Sequence, residues 1–305
     1  MVEYPCEGQD MNIKDGYIDF EGHQTYYRIA SPEKKKTPLL ILHGGPGSTH
    51  NSYELLDNMS ELDDRPIVTY DQLGCGLSSV EGSHPELWNK DVWIRELINL
   101  RKKLNLKSIH LMGHSWGGML AIIYLTDYYP EGVKSVNLSS TLSSASLWAQ
   151  ETHRLVKYLD SVDQKAIEIA EKTNNFSSLE FQIANDHYMN LYVADSHDPN
   201  RPSCLTRPKV PGTESYKVAW GPCEYTPLGN LHDYEYTDKL RNITVPVLFC
   251  SGANDESTPL QNKIMFEHVR TEKKWVLFAH SRHMTYYEEN ALYEKELMTF
   301  LDAHD

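Results

Sequence analysis

The sequence predicts an α/β fold in which a mostly parallel central sheet is flanked by helices and carries an inserted helical cap. Three observations support this prediction. Between residues 13 and 140, apolar runs alternate with segments of helical periodicity, which is typical of a parallel sheet with crossover helices. From 141 to 238 the buried strands disappear. At 245–252 the apolar run VPVLFCSG restores the strand pattern.

The first half of the chain supplies most of the predicted strands. YIDF (17–20) and QTYYRIA (24–30) have the pattern of an opening antiparallel hairpin. Continuous apolar runs predict buried parallel strands in four further places: 38–44, 65–72, 108–115 and 133–140. Helical apolar spacing predicts two helices among them: 92–104 and 116–129.

The second half divides into a helical block and a return to the sheet. Three amphipathic segments predict consecutive helices: 146–160, 164–173 and 178–193. A polar stretch with several prolines follows them. After the strand at 245–252 we expect these elements: a helix near 260–269, a strand at 273–280 and a final helix near 291–303. We therefore predict a core of residues 1–140 and 239–305, and a cap of residues 141–238.

Composition restricts the classes of protein to which the chain can belong. With 40% hydrophobic and 24% charged residues among 305, it has the balance of a soluble globular protein. A net charge of −14 argues against a broad surface for nucleic acid or anionic lipid, since both need clustered positive charge. No segment approaches the roughly 20 apolar residues of a membrane span. The polar, acidic N-terminus lacks the pattern of a signal peptide.

The cysteines indicate a reducing environment. They are odd in number, scattered, and show no metal-ligand spacing: Cys6, Cys75, Cys204, Cys223 and Cys250. We expect free thiols, a cytoplasmic location and no metal or organic cofactor.

The nucleophile is predicted by GHSWG (113–117), which matches the pattern G-x-S-x-G. The motif lies between a predicted buried strand and a predicted helix, as the nucleophile elbow of an α/β hydrolase requires. Glycines near Ser115 allow the strand and the helix to approach closely. The turn also places the hydroxyl group near the N-terminus of the helix, where developing negative charge is stabilised. Ser115 is therefore the predicted catalytic nucleophile.

A serine nucleophile needs a histidine to take its proton and a carboxylate to orient that histidine. In this fold the acid follows the serine in the chain and the histidine comes last. Asp255 follows the strand at 245–252 and is the predicted acid, with its neighbour Glu256 as the alternative. His280 and His283 both follow the strand at 273–280. We favour His283, because it lies within the loop, whereas His280 ends the strand.

The oxyanion of the tetrahedral intermediate needs backbone N–H donors. One is expected from Trp116, directly after the nucleophile, and the other from the loop HGGPG (43–47). Glycines in that loop allow the backbone to approach a substrate closely. Gly45 is the predicted donor.

Several motifs together resemble those of the proline iminopeptidases, also called prolyl aminopeptidases. They follow one another across most of the chain: HGGPGS (43–48), DQLGCGLS (71–78), GHSWGG (113–118), GPCEYT (221–226), GANDEST (252–258) and SRHM (281–284). The DQLGCG form is most similar to the enzymes of lactic-acid bacteria. The resemblance implies an α/β-hydrolase fold with a cap. It also implies removal of an N-terminal residue, preferably proline, from short peptides or amides.

The resemblance also implies how the free amine of the substrate is held. Acidic residues bind it in this family, and their positions correspond to Glu224 in the cap and Glu256 beside the triad acid. This assignment agrees with physical chemistry, since an exopeptidase must recognise a charged N-terminus and a carboxylate does so through charge-assisted hydrogen bonds.

Alternative functions remain open from the sequence. An amino-acid amidase, an esterase or a lactonase would use the same scaffold, whereas the two glutamates favour an aminopeptidase or an amidase. A non-catalytic binding protein is disfavoured by the complete set of catalytic residue types. A thiol-dependent activity at Cys75 or Cys223 has no identifiable histidine partner.

Overall fold

The computed structural model describes residues 11–305, so Cys6 lies outside the described residues. Strands β1 to β8 form one sheet and have the following bounds: β1 Ile13–Phe20, β2 His23–Ala30, β3 Leu39–Leu42, β4 Ile67–Tyr70, β5 Ile109–His114, β6 Val133–Ser139, β7 Val247–Gly252 and β8 Lys273–Phe278. Their order is β1-β2-β4-β3-β5-β6-β7-β8. The first two strands pair antiparallel with their neighbours, and the rest of the sheet is parallel. The predicted α/β-hydrolase fold is confirmed.

Three helices lie between β3 and β6 in the chain: α1 Asn58–Leu62, α2 Lys90–Lys103 and α3 Trp116–Asp127. Helix α2 begins at a conventional cap, where the Asn89 side chain accepts from the N–H groups of Asp91 and Val92. Helix α3 is apolar on all sides and almost every residue in it is buried. A helix of that composition is stable only inside a core, so the chain segment after Ser115 is held firmly.

The central strands are buried on both faces because the helices cover the sheet from two sides. Side chains alternate along a strand with a period of two. In β3, Leu40 and Leu42 pack into one core, while Leu39 and Ile41 pack into the other. The four-residue run LLIL therefore fills both cores, as its continuous apolar pattern predicts.

The region predicted as a cap contributes helices between β6 and β7: α4 Ala145–Val156, α5 Ser161–Thr173, α6 Leu179–Tyr192, α7 Ser203–Thr206 and α8 Thr213–Ala219. It has an apolar cluster of its own, which includes Ile167, Phe181 and Tyr188. The short helices α7 and α8 were not predicted from the polar, proline-containing stretch. They begin directly after Pro202 and Gly212.

The chain ends with α9 Pro259–His268, α10 Thr285–Glu288 and α11 Asn290–Asp302. Within residues 11–305, no helix is long and apolar enough to cross a membrane. The loops after β5, β7 and β8 emerge at the carboxyl edge of the parallel strands, where open α/β sheets place their binding sites. The predicted catalytic residues lie in these three loops.

Candidate active site

Ser115 occupies a sharp turn between β5 and α3. Its backbone φ of 56° and ψ of −125° are unusual for a residue with a side chain. The neighbouring glycines are required by space. A Cβ atom on Gly117 would lie 2.0 Å from the carbonyl oxygen of Leu42, and one on Gly113 would lie 2.3 Å from the carbonyl oxygen of Gly117. Direct backbone packing therefore holds the Ser115 hydroxyl group at the edge of the sheet.

Asp255 and His283 meet at this edge. The Nδ1 atom of His283 lies 2.7 Å from Oδ1 of Asp255, and both side chains are buried. The backbone N–H groups of Gly252 and Ser257 also donate to Asp255. This arrangement holds the imidazole with Nε2 available for a proton, and His283 and Ser115 line the same cavity.

The other candidate histidine lies elsewhere. His280 is exposed, and its backbone N–H donates to the carboxylate of Glu289. Asp255 contacts His283 and not His280. Glu256, the alternative triad acid, has its Oε1 atom 3.9 Å from His283 Nε2, which is beyond hydrogen-bond distance. The geometry therefore pairs His283 with Asp255, and it places Ser115 in the cavity that His283 lines.

His114, beside the nucleophile, has a positioning role that the sequence did not indicate. Its Nε2 atom donates to the backbone carbonyl of His283 at 3.0 Å, and its Nδ1 atom accepts from the Tyr53 hydroxyl at 3.0 Å. Burial, and then the nearby His283, lower the pKa of His114 to about 3, so the ring is neutral. His114 thus supports the loop that carries His283, and its adjacency to Ser115 was the one available signal.

The two predicted oxyanion donors belong to segments that are packed together. Trp116 is the first residue of α3, where backbone N–H groups have no partner inside the helix. Gly45 lines the cavity with φ of 113°, and a Cβ atom there would lie 2.4 Å from the nitrogen of Gly47. A Cβ atom on the preceding Gly44 would lie 3.1 Å from the Ser115 Cβ atom. The glycine loop therefore lies against the nucleophile.

Gln72 of the DQLGCG motif ties these two segments together. Its side-chain oxygen accepts from the Trp116 indole at 2.8 Å, and its side-chain nitrogen donates to the carbonyl of His43 at 3.0 Å. Asp71 accepts from the backbone and the ring of His50 at 2.7 and 2.8 Å. Through Gln72, the motif thus connects the segments that carry the two predicted oxyanion donors.

Cys75 has a histidine neighbour after all. Its Sγ atom lies 3.5 Å from Nε2 of His43, a contact that the sequence did not reveal. Burial raises the pKa of the Cys75 thiol well above its usual range, and burial lowers the pKa of His43 to about 4. A thiol held protonated beside a neutral imidazole is not a nucleophile. Cys223 is also buried, and its thiol lies 3.3 Å from the hydroxyl of Thr226.

Glu224 and Glu256 reach one cavity from opposite parts of the chain. Glu224 follows α8, and its Oε1 atom accepts from the Tyr216 hydroxyl at 2.8 Å. Glu256 follows β7 and is buried, with a relative exposure of 1%. The Tyr188 hydroxyl group lies close to this carboxylate, but neither that hydroxyl nor Oε2 makes a well-formed hydrogen bond within residues 11–305. A buried carboxylate oxygen without a partner is costly, which makes this position attractive to a cation.

The pKa shifts of Glu224 and Glu256 also favour a site for a cation. Burial, and then the negative charges of Glu224 and Asp255, raise the pKa of Glu256 well above its usual value. Burial also raises the pKa of Glu224, against the lowering effect of the Tyr216 hydrogen bond. No lysine or arginine in the described part of the chain forms an ion pair with either glutamate. A bound ammonium group would favour the ionised form of both.

The cavity that contains these groups has a volume of about 420 Å³ and lies between the edge of the sheet and the helical region predicted as a cap. Apolar side chains supply part of its wall: Met189, Val193, Leu205, Met284 and Tyr286. Clusters of His, Cys, Asp or Glu suitable for a metal ion do not occur among residues 11–305.

Known proteins share this architecture. A family model described as the alpha/beta hydrolase fold matches residues 37–290. The proline iminopeptidase of Lactobacillus crispatus is 50% identical over 295 residues, which cover 97% of this chain and 100% of the relative. The chain belongs to the proline iminopeptidase family of α/β hydrolases. The proline iminopeptidase of Clostridioides difficile is also 50% identical, over 296 residues, with the same coverage. The resemblance deduced from the motifs is confirmed.

Solved structures agree with this family assignment at the level of the fold. The crystal structure of VinJ has a TM-score of 0.87 and 26% identity, and covers 96% of this chain and 99% of VinJ. The proline iminopeptidase of Mycobacterium smegmatis has a TM-score of 0.82 and 24% identity, and covers 95% of this chain and 98% of that one.

Proposed function

We propose that this member of the proline iminopeptidase family is a serine aminopeptidase that releases an N-terminal residue, preferably proline, from short peptides or amides with a free N-terminus. The observation that carries the proposal is the buried Glu256, whose Oε2 atom makes no well-formed hydrogen bond within residues 11–305 and whose side chain lines the same cavity as Ser115 and Glu224. A charged N-terminus supplies the missing partner. A protonated N-terminal proline has two N–H donors, one for each of Glu224 and Glu256.

The catalytic residues act in two stages. The Ser115 hydroxyl attacks the first carbonyl carbon while His283 Nε2 takes its proton, and Asp255 stabilises the resulting imidazolium. The backbone N–H groups of Gly45 and Trp116 stabilise the oxyanion. His283 then gives its proton to the leaving amine, and an aminoacyl-enzyme remains. In the second stage His283 takes a proton from a water molecule as that water attacks the acyl carbon, and it then returns the proton to Ser115 Oγ as the amino acid leaves.

The location that fits this activity is the cytoplasm. Cys75, Cys204, Cys223 and Cys250 are buried and form no disulfide, which suits a reducing compartment. The expected substrates are therefore intracellular peptides.

An esterase, a lactonase or an amino-acid amidase on the same scaffold is the competing function. Neither an ester nor a lactone without an amine has a use for the paired glutamates, whereas an amino-acid amide has the same N-terminus as a peptide. The distinction between peptidase and amidase therefore depends on the leaving group.

The test is cleavage of the p-nitroanilides of proline, alanine and leucine, with N-blocked proline p-nitroanilide as the matched control. We expect rapid cleavage of the free proline compound and none of the blocked one. Preference for alanine or leucine would overturn the proline assignment and leave the mechanism in place. Cleavage of the blocked compound at a similar rate would overturn the role of the glutamates.

A further inference from the structure

The cap places two positive side chains, Arg201 and Lys209, in the wall of the cavity that holds Ser115. Neither forms an ion pair with a carboxylate in the part of the chain that the structure describes. The guanidinium of Arg201 makes one long hydrogen bond, from Nη1 to the carbonyl of Ser196 at 3.4 Å. Its Nε atom is buried and has no partner among residues 11–305. Within residues 11–305, therefore, neither cation has a negative partner, and the buried Nε atom of Arg201 lacks a hydrogen bond that would offset its desolvation.

A neighbouring arginine in the same segment, Arg207, does have a carboxylate partner. Arg207 forms an ion pair with Glu54 and lines the adjacent cavity but not the one with Ser115, whereas Lys209 lines both cavities. Lys209 is exposed overall, yet desolvation, and then the charge of Arg201, lower the pKa of its ammonium group. Mutual repulsion of this kind is relieved by an anion. The chain has 43 acidic and 29 basic residues, so unpaired cations are not explained by a shortage of carboxylates.

The substrate itself provides a suitable anion. When its amine lies at Glu224 and Glu256 and its first carbonyl lies at Ser115, the rest of the peptide continues within the same cavity. Extended residues advance about 3.3–3.6 Å each, so the C-terminal carboxylate of a short peptide lies within a few residues of the cleaved bond. A cavity of about 420 Å³ is at the small end of ligand-binding cavities, which suits a short peptide.

We propose that Arg201 and Lys209 bind the C-terminal carboxylate of the peptide substrate, so that the enzyme favours dipeptides and tripeptides with a free C-terminus. The acidic groups at the amine and the basic groups at the carboxylate would then select peptides of matching length. The inference rests on the proposed aminopeptidase function and assigns the part of the cavity that receives the leaving group.

The test compares kcat/KM for Pro-Ala and Pro-Ala-Ala with kcat/KM for the same peptides carrying a C-terminal amide. The wild-type enzyme is expected to favour the free acid of at least one peptide by on the order of tenfold, the effect of one charge-assisted contact. Arg201→Gln and Lys209→Gln should each bring this ratio towards one. The matched control Arg207→Gln removes a nearby positive charge from outside the cavity and should leave the ratio unchanged.

The ratio separates recognition from general damage, because a disturbed fold lowers both rates together. Lys209 is exposed, so Lys209→Gln keeps the test decisive if Arg201→Gln does not fold. A wild-type ratio near one for both peptides would overturn the carboxylate site, and so would an unchanged ratio in Arg201→Gln and Lys209→Gln. Cleavage of free proline p-nitroanilide is scored separately, so failure of the carboxylate site is distinguishable from failure of the aminopeptidase function.

Discussion

Asp255 and Glu256 are adjacent in the chain and both are buried, but their carboxylates differ in the hydrogen bonds that they accept. On the core side, Asp255 accepts hydrogen bonds from His283, Gly252 and Ser257. On the cap side, Glu256 lines the same cavity as Glu224, and its Oε2 atom makes no well-formed hydrogen bond within residues 11–305. The protein satisfies the first carboxylate, and the second is the one that we propose binds the substrate amine.

The difference shows how one short loop can serve two purposes. Catalytic groups work best when their geometry is fixed before the substrate arrives. A binding group for a cation works best when its charge is not already neutralised by the protein. The core therefore provides saturated contacts around Asp255 and His283, while the cap side keeps a poorly satisfied charge at the cost of stability.

The largest effect is expected on the core side, from Ser115→Ala. Loss of the nucleophile should lower the turnover of proline p-nitroanilide at least about 1000-fold. The substitution keeps the Cβ atom and the backbone, so the thermal midpoint should stay close to that of the wild type. Retention of substantial activity by a folded Ser115→Ala enzyme would exclude the acyl-enzyme mechanism.

The rigidity of the core side can be tested at the elbow with Gly117→Ala. Alanine is favoured over glycine in a helix by about 1 kcal/mol. At this position the added Cβ atom would lie 2.0 Å from the backbone oxygen of Leu42, so we expect a net loss of about 3 kcal/mol or more in the free energy of unfolding. Gly22→Ala is the control, since its Cβ atom meets nothing within 4 Å. The control should lose only roughly 1 kcal/mol from its backbone conformation. Equal losses in urea unfolding would contradict the close packing.

The cap side can be tested through the pH dependence of Glu224→Gln. The charge of Glu224 is one cause of the raised pKa of Glu256. Its removal should let Glu256 ionise at lower pH, so the acidic limb of kcat/KM for proline p-nitroanilide should move to lower pH while the plateau falls. The profile for p-nitrophenyl acetate, which has no amine, serves as the control for His283. An acidic limb that stays in place would show that the two glutamates are not coupled.

The smallest effect is expected on stability, from Glu256→Gln in the absence of substrate. The pKa of this carboxyl group is higher in the folded state than its usual value of 4.5, so ionisation favours the unfolded state. The penalty is absent at pH values well below 4.5, where both states are protonated, and grows as the pH rises. Glu256→Gln should therefore raise the free energy of unfolding at pH 8 by on the order of 1 kcal/mol, and by less at pH 4. A variant less stable than the wild type at pH 8 would contradict an unsatisfied carboxylate.

The core side of the cavity could be predicted from the sequence more fully than the cap side. Strands such as β3 and β5 could be predicted from their continuous apolar runs. The elbow could be predicted because a G-x-S-x-G motif between a strand and a helix has few other structural interpretations. The choice between His280 and His283 was harder, because both follow β8 and the loop conformation determines which one reaches Asp255. The same limit applies to His114, whose contact with the His283 loop is formed only in the folded protein.

The cap was less predictable for a physical reason. Helices α7 and α8 have four and seven residues, too short to show a helical period, and buried residues such as Leu205 hold them in place. Arg201 and Lys209 lie in that segment, where no motif distinguishes a cation that lines the Ser115 cavity from one that does not, such as Arg207. Glu224 was predicted only through the family resemblance.

The central claim is that Asp255 orients His283 while Glu256 binds the substrate amine. The most direct test compares Asp255→Asn with Glu256→Gln on two substrates, proline p-nitroanilide and p-nitrophenyl acetate. We predict that Asp255→Asn lowers kcat/KM for both, because the histidine serves every acyl transfer. Glu256→Gln should lower kcat/KM for the proline compound by on the order of 100-fold and leave the acetate ester nearly unchanged. Equal losses on both substrates in Glu256→Gln would contradict its role as the amine anchor.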